Sequence, residues 1–271
     1  MNNFIKRTLS GALFVTLVIG SILLSRVTFI AFFAIICGWS ILEFHKLTNM
    51  QADVKVNRFL AVGGAILLFI CSSVYVSGVV KFPIYSIYGI YVILVVISEL
   101  FIQKNNPIHN WAYFILGQIF IALPFSLLNF ILYINNYQPI ILLALFVTIW
   151  VNDSGAYLVG ITLGKHRLFE RISPKKSWEG FFGGATFALL SGYIFSTFIS
   201  EISLINWLIF SEIVVVFGTL GDLTESLLKR TINVKDSGDV IPGHGGLLDR
   251  FDSMLLAAPA VYLFLTLLFQ K

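Results

Sequence analysis

The sequence predicts an all-α, polytopic integral membrane protein: a helical bundle of about nine transmembrane helices with a cytoplasmic N-terminus. Three observations predict it. The 271 residues are 58% hydrophobic and only 12% charged, against roughly a quarter charged in an average soluble domain. Mean hydropathy is +0.90, and one apolar run after another approaches the ~20 residues that cross a bilayer as a helix. The lysines and arginines sit in the gaps between those runs and fall strongly to one side. A soluble core of this length could not hide 26 phenylalanines beside so much Leu, Ile and Val. The spans must be helices, because lipid offers no partner to an open strand edge.

The first apolar run, about 9–25, follows Lys6 and Arg7 as in a signal peptide. No small-residue cleavage site is evident and a second run, 27–44, follows at once across Arg26, so the first reads as a retained span. Runs at 59–80, 83–102 and 111–134 come next. The first five spans are nearly free of acids, apart from Glu43 and Glu99 near their ends. The sixth run, 138–151, is short, and Asn152 and Asp153 end it. A polar segment, 152–179, leads to runs at 180–200 and 203–221; a second polar segment, 222–253, leads to the last run, 254–270.

Nine spans place the termini on opposite sides. With the N-terminus inside, 15 of the 18 lysines and arginines are cytoplasmic and only Arg26, Lys81 and Lys271 are outside, as the positive-inside rule requires. Both long polar segments then share the cytoplasmic face. Eleven of the 14 acids lie from Asp153 onward. The chain therefore divides into an N-terminal scaffold, 1–137, and a C-terminal catalytic region, 138–271. Cys37 and Cys71 lie within apolar runs, and the four histidines are scattered; neither a disulfide framework nor a zinc site is suggested.

In "GDLTESLLKR", Asp222, Glu225, Ser226 and Lys229 share one helix face. In "LLDRFDS", Asp249 and Asp252 are three apart and do the same. Each group abuts a span, so both belong at the mouth of the bundle. Between them, Gly243, Gly245 and Gly246 let the backbone turn tightly and approach a ligand. Six acids and four cations fall within 222–252. Lone pairs such as Lys229–Arg230 or Lys175–Lys176 are ordinary topology signals. The dense mixture with glycines suits a phosphate chain held through Mg2+, the cations and backbone amides taking the remaining oxygens. Glu212 lies ten positions before Asp222, about 15 Å along a helix. An acid so deep in a span is a functional candidate. It is expected to face a polar cavity under the site or to bond to a neighbouring helix.

The stretch "SLLKRTINVKDSGDVIPGHGGLLDRFD" resembles the signature of the phosphatidate cytidylyltransferases, also called CDP-diacylglycerol synthases. Ser226, Lys229, Arg230, Lys235, Asp236, Pro242, His244, Gly245, Gly246, Asp249, Arg250 and Asp252 carry the match. "NDSGAYLVG" and "SPKKSWEG" are similar to further family segments, with Ser154 and Ser177 where threonine is often expected. The resemblance covers about residues 140–270 in detail. It implies attack by the phosphate oxygen of phosphatidate on the α-phosphorus of CTP, giving CDP-diacylglycerol and pyrophosphate for phospholipid biosynthesis. It implies catalytic roles for Asp222, Lys229, Arg230, Asp249 and Arg250. Substrate binding falls to Asn152, Asp153, Lys175, Lys176, Ser226, Lys235, His244, Gly245 and Gly246. The implied cofactors are Mg2+ and a second cation, K+, with Asp222 and Asp249 as metal ligands and Asp252 or Asp236 nearby. It implies a homodimer. The small size and the lack of an extended polar N-terminus point to a bacterial inner (cytoplasmic) membrane, the charge split puts the active site on the cytoplasmic face, and no nucleic-acid partner is expected.

Other readings fit less well. A CTP-dependent polyprenol or phytol kinase attacks the γ-phosphorus and releases CDP, and the complete signature argues against it. The motif of a CDP-alcohol phosphotransferase is missing. A transporter would line several spans with polar groups, and paired, interrupted segments of an inverted repeat are not evident.

Overall fold

The computed structural model describes residues 3–80, 82–102, 106–238 and 245–269. Within them nine helical segments follow one another: α1 (Asn3–Leu24), α2 (Arg26–Thr48), α3 (Arg58–Val76), α4 (Tyr85–Ser98), α5 (Pro107–Gly117) running through a π turn into α6 (Leu123–Leu132), α7 (Pro139–Leu163), α8 (Trp178–Phe198), α9 (Leu204–Thr231) and α10 (Asp252–Phe269). Seven are long and apolar enough to cross a membrane; Thr8–Leu24 and Tyr85–Phe101 are shorter apolar helices. The chain is a polytopic membrane protein, and every expected run has its helix.

Local chemistry sets the breaks. Ser25 and Thr28 cap each other's backbone in a reciprocal capping box, so α1 and α2 turn about a single residue. At the end of α9, Asn233 takes the left-handed conformation (φ 59). The Val234 N–H then returns to the Lys229 carbonyl at 3.0 Å and satisfies an orphan acceptor of the last turn.

Two boundaries differ from the sequence reading. Asn152 and Asp153 do not end a span: α7 continues to Leu163. Nothing from 152 to 163 breaks a helix, and both polar side chains line a cavity inside the bundle, so α7 need not stop to hydrate them. Likewise α9 runs past the expected span end at 221 to Thr231, which puts Asp222, Ser226 and Lys229 on a helix as their spacing predicts. One short antiparallel hairpin, β1 (Arg167–Phe169) with β2 (Ser173–Ser177), is the exception to an all-helical fold among the described residues. It delivers the chain to α8, where the Ser177 hydroxyl accepts the Gly180 N–H at 3.1 Å as N-cap.

The second half is built from two tight helix pairs, α7 with α8 and α9 with α10. In each pair a glycine lets the helices approach beside a polar residue. A Cβ on Gly184 would lie 2.5 Å from Asn152 Oδ1, and one on Gly221 would lie 2.5 Å from the Asp252 carbonyl oxygen. Small residues permit such approach where van der Waals packing holds the helices together. Phe251 fixes the start of α10. It is 1% exposed, and its ring meets those of Phe14 at 5.5 Å, Phe125 at 5.3 Å, and Phe33 and Phe146 at 6.2 Å. The variable position of the D-R-x-D motif is thus an anchor in a four-helix aromatic cluster, flanked by Arg250 and Asp252.

Phe251→Ala should therefore cost about 3–5 kcal/mol, the range for emptying a buried phenylalanine site. Phe251→Leu should cost less than about 1.5 kcal/mol. Melting of the purified protein in detergent would check both; equal melting temperatures for the two variants would contradict the anchoring role.

Candidate active site

A cavity of about 750 Å³ opens between α7, the β-hairpin, α8, α9 and the start of α10. Asn152 and Asp153 come from α7, Arg167, Lys175 and Lys176 from the hairpin, Thr219 and Asp222 from α9, and Asp249 and Asp252 from the approach to α10. Residues spread over about 100 positions, from Asn152 to Asp252, thus line one cavity. A second cavity, about 250 Å³, lies against α1 and is lined by Ser10, Phe14, Val15, Ile149, Trp150, Arg250 and Ser253. Asp153, Asp249 and Asp252 line both cavities.

The carboxylates are held differently. Asp249 is engaged on both oxygens: Lys229 Nζ lies 2.6 Å from Oδ1, and Oδ2 accepts the Ser237 N–H at 3.0 Å and the Gly246 N–H at 2.8 Å. Burial opposes its charge, but the Lys229 ammonium and the two amides outweigh that, so its carboxyl lies below the usual aspartate range. Lys229 also faces Glu225 Oε1 at 3.3 Å. Glu225 is fully buried and neither oxygen forms a hydrogen bond, so Lys229 is its ion-pair partner among the described residues. Asp222 pairs with Lys176 at 2.6 Å and accepts from Ser226 at 3.1 Å. Asp252 accepts its neighbour's amide, Ser253 N–H, at 2.6 Å. The hairpin is tied down by Glu179, which accepts the Lys165 N–H at 3.1 Å and meets His166 Nδ1 at 2.6 Å.

Among the described residues no three His, Cys, Asp or Glu side chains are placed to hold an ion by themselves. A Mg2+ that arrives on a phosphate chain needs only one or two carboxylates, and the all-oxygen wall of aspartates fits that requirement.

The structure brings Asn152, Asp153, Lys175, Lys176, Asp222, Asp249 and Asp252 to the larger cavity and Arg250 to the smaller. Ser226 and Lys229 stand one layer behind, on Asp222 and Asp249. Arg230 turns away, donating to the Val234 carbonyl at 3.3 Å. Lys235 and Asp236 are exposed and line neither cavity. Gly245 takes a left-handed turn (φ 81) beside Asp249, Gly246 donates to that carboxylate, and His244 lies outside the described residues. Glu212 meets neither expectation. It lies in a groove otherwise lined by Leu189, Ile205, Leu208, Ile209, Ile213, Val216 and Phe217, and its buried Oε1 has no hydrogen-bond partner. Arg167, Thr219 and Glu43 were not legible as site residues. The first two look like a topology charge and a span residue; Glu43 sits some 200 positions from the loop it binds.

A profile of the cytidylyltransferase family matches residues 5–268, nearly the whole chain. The chain belongs to the cytidylyltransferase family. Among relatives, a phosphatidate cytidylyltransferase of Bacillus subtilis is 41% identical over 181 residues, 66% of this chain and 67% of that protein. One of Haemophilus influenzae is 45% identical over 124 residues, 44% of this chain and 43% of its own, and one of Staphylococcus epidermidis 44% over 122 residues, 44% and 46%. The latter two matches span less than half of those relatives.

In this cytidylyltransferase the two aspartate pairs should respond differently to neutralisation. The Lys176–Asp222 pair is partly exposed, 28% and 31%, and such pairs contribute roughly 0–1 kcal/mol. The Lys229–Asp249 pair is 9% exposed on both sides, and breaking a buried pair costs about 3–5 kcal/mol. Asp222→Asn should abolish activity with little change in melting, whereas Asp249→Asn should lower both. Because the Asp249 pKa is depressed, its stabilising effect is present above the ordinary value of about 3.9 and is lost as pH falls below it. The acid limb of a melting-temperature profile should flatten in Asp249→Asn. Matching melting losses in the two variants would refute this division.

Proposed function

We propose that the chain transfers the cytidylyl group of CTP to phosphatidate, giving CDP-diacylglycerol and pyrophosphate, at the aspartate wall where its two cavities meet. The meeting of the cavities carries the reading. One is rimmed by Arg167, Lys175 and Lys176 and has room for a nucleotide. The other is walled by α1 and by Phe14, Val15, Ile149 and Trp150, which suits the glycerol end of a lipid. The family and the printed names of the relatives support the same reaction.

In this reading an oxygen of the phosphatidate phosphate forms a bond to the α-phosphorus of CTP. The α–β bridging bond breaks, and pyrophosphate leaves with the electron pair. Such catalysis is mostly positioning and charge neutralisation. Lys175, Lys176 and Arg167 supply positive charge to the triphosphate and the departing pyrophosphate. Arg250 and Ser10 orient the lipid phosphate in the smaller cavity, against the repulsion of the aspartates. Asp249 anchors Lys229 and the neck of the signature loop. Asp222 and Asp252 are the carboxylates proposed to hold Mg2+, which when bound would neutralise further phosphate charge.

The charge split of the sequence supports a site on the cytoplasmic face of a bacterial inner membrane, and a homodimer is the proposed assembly. The decisive experiment incubates purified protein with phosphatidate micelles, Mg2+ and CTP labelled at the α- or the γ-phosphorus. The α-label should enter lipid and pyrophosphate should be released. Entry of γ-label with release of CDP would establish a kinase instead. Lys176→Ala should raise the CTP KM about ten-fold or more, since a charge-assisted hydrogen bond contributes about 1.5–3 kcal/mol. An unchanged KM would remove Lys176 from the nucleotide site.

A further inference from the structure

We infer that Glu43, on α2, is a positioning residue for the signature loop of the active site. The inference rests on the proposed reaction for its kinetic consequences, but not for its structural ones.

Glu43 is 2% exposed. Its Oε1 accepts the Leu247 N–H at 3.0 Å, and its Oε2 accepts the Leu248 N–H at 2.8 Å and the Ser237 hydroxyl at 3.0 Å. These donors lie at both ends of the segment between Ser237 and Leu248. The two described ends of this segment meet the carboxylate so closely that a side chain at their glycines would collide. A Cβ on Gly238 would lie 2.8 Å from Oε1, and one on Gly246 would run into the Ser237 hydroxyl and lie 2.6 Å from Oε2. Glu43 and its partner Ser237 together leave no room for a side chain at these two positions.

The same neck is gripped from its other side by Asp249, through the Ser237 and Gly246 amides. Ser237 is shared: its N–H goes to Asp249 and its hydroxyl to Glu43. The two carboxylates therefore act as one clamp, and Asp249 passes the constraint to Lys229 at 2.6 Å. The buried neighbours of Glu43 on α2 include the apolar Ile41, Phe44 and Leu47 beside Ser40, His45 and Thr48, and a buried acid is costly without donors. A fully satisfied buried network fixes one geometry. What this one fixes is the placement of Asp249, Arg250 and Asp252, the residues at the wall between the cavities. Glu43 touches neither cavity and so acts through the loop.

The test combines hydrogen exchange with kinetics on Glu43→Gln and on Ser237→Ala, the second being a milder cut in the same clamp. In Glu43→Gln an amide N–H replaces one acceptor and faces a donor. Exchange at Leu247 and Leu248 should accelerate at least ten-fold while the helical core stays protected. The kcat/KM for CTP should fall ten-fold or more with the phosphatidate KM within two-fold of wild type. Ser237→Ala should shift both in the same direction, and the double variant should be no worse than Glu43→Gln alone. Unaltered loop exchange in Glu43→Gln would overturn the inference. So would wild-type kinetics, or a uniform loosening of the bundle with equal loss for both substrates. If the wild-type protein fails to transfer cytidylyl groups, the functional reading falls, and the exchange data alone then decide whether Glu43 holds the loop.

Discussion

The Lys229 ammonium lies 2.6 Å from Asp249 and 3.3 Å from Glu225, with only 9% of its side chain exposed. The buried acid of α9 and the neck of the signature loop converge on that ammonium. Glu225 has no other compensation visible in its hydrogen bonding, and an unpaired carboxylate in a medium this apolar would be expelled or neutralised. Lys229 is the cation beside it among the described residues, while Asp249 gathers the ammonium and two loop amides. A chain that is 58% hydrophobic thus lines a cavity between its helices with four aspartates.

The arrangement also divides labour among carboxylates of one chemical type. Asp249 is committed on both oxygens, which makes it an organiser of the loop. Asp222 and Asp252 are more lightly held and face the larger cavity. They are brought side by side because Gly221 lets α9 and α10 touch backbone to backbone. Phe251 then locks the turn into the aromatic cluster of α1, α2, α6 and α7. Packing in the greasy half and charge in the polar half thus meet within the four residues from Asp249 to Asp252.

The helices were legible in the sequence, because apolar runs of span length leave few alternatives in a membrane. The shared face of Asp222, Ser226 and Lys229 was legible too, since helical spacing alone determines it. The end of α7 was misplaced because Asn152 and Asp153 look like a water-facing boundary; polar residues can sit within a helix when a cavity, rather than lipid, lies beside them. Glu43 could not be assigned from pattern: its partners are 194 to 205 positions away, and four of the five loop atoms that donate to the neck's two carboxylates are backbone amides that any sequence would present. The two glycines that accommodate it were the only trace, and they read equally well as ordinary loop residues. Asp249 and Asp222 likewise look equivalent in sequence and differ only in what surrounds them.

The central claim is that one site, at the aspartate wall between two cavities, receives the nucleotide. A structure of the protein in lipid with Mg2+ and a CTP analogue carrying a methylene bridge between the α- and β-phosphorus would test it most directly, because that bond resists the proposed cleavage. The account predicts the triphosphate in the larger cavity, its phosphates beside Lys176 and Arg167 and its metal on Asp222 and Asp252, with the α-phosphorus turned toward the smaller cavity. A nucleotide bound elsewhere, or one whose γ-phosphorus faces the smaller cavity, would contradict it.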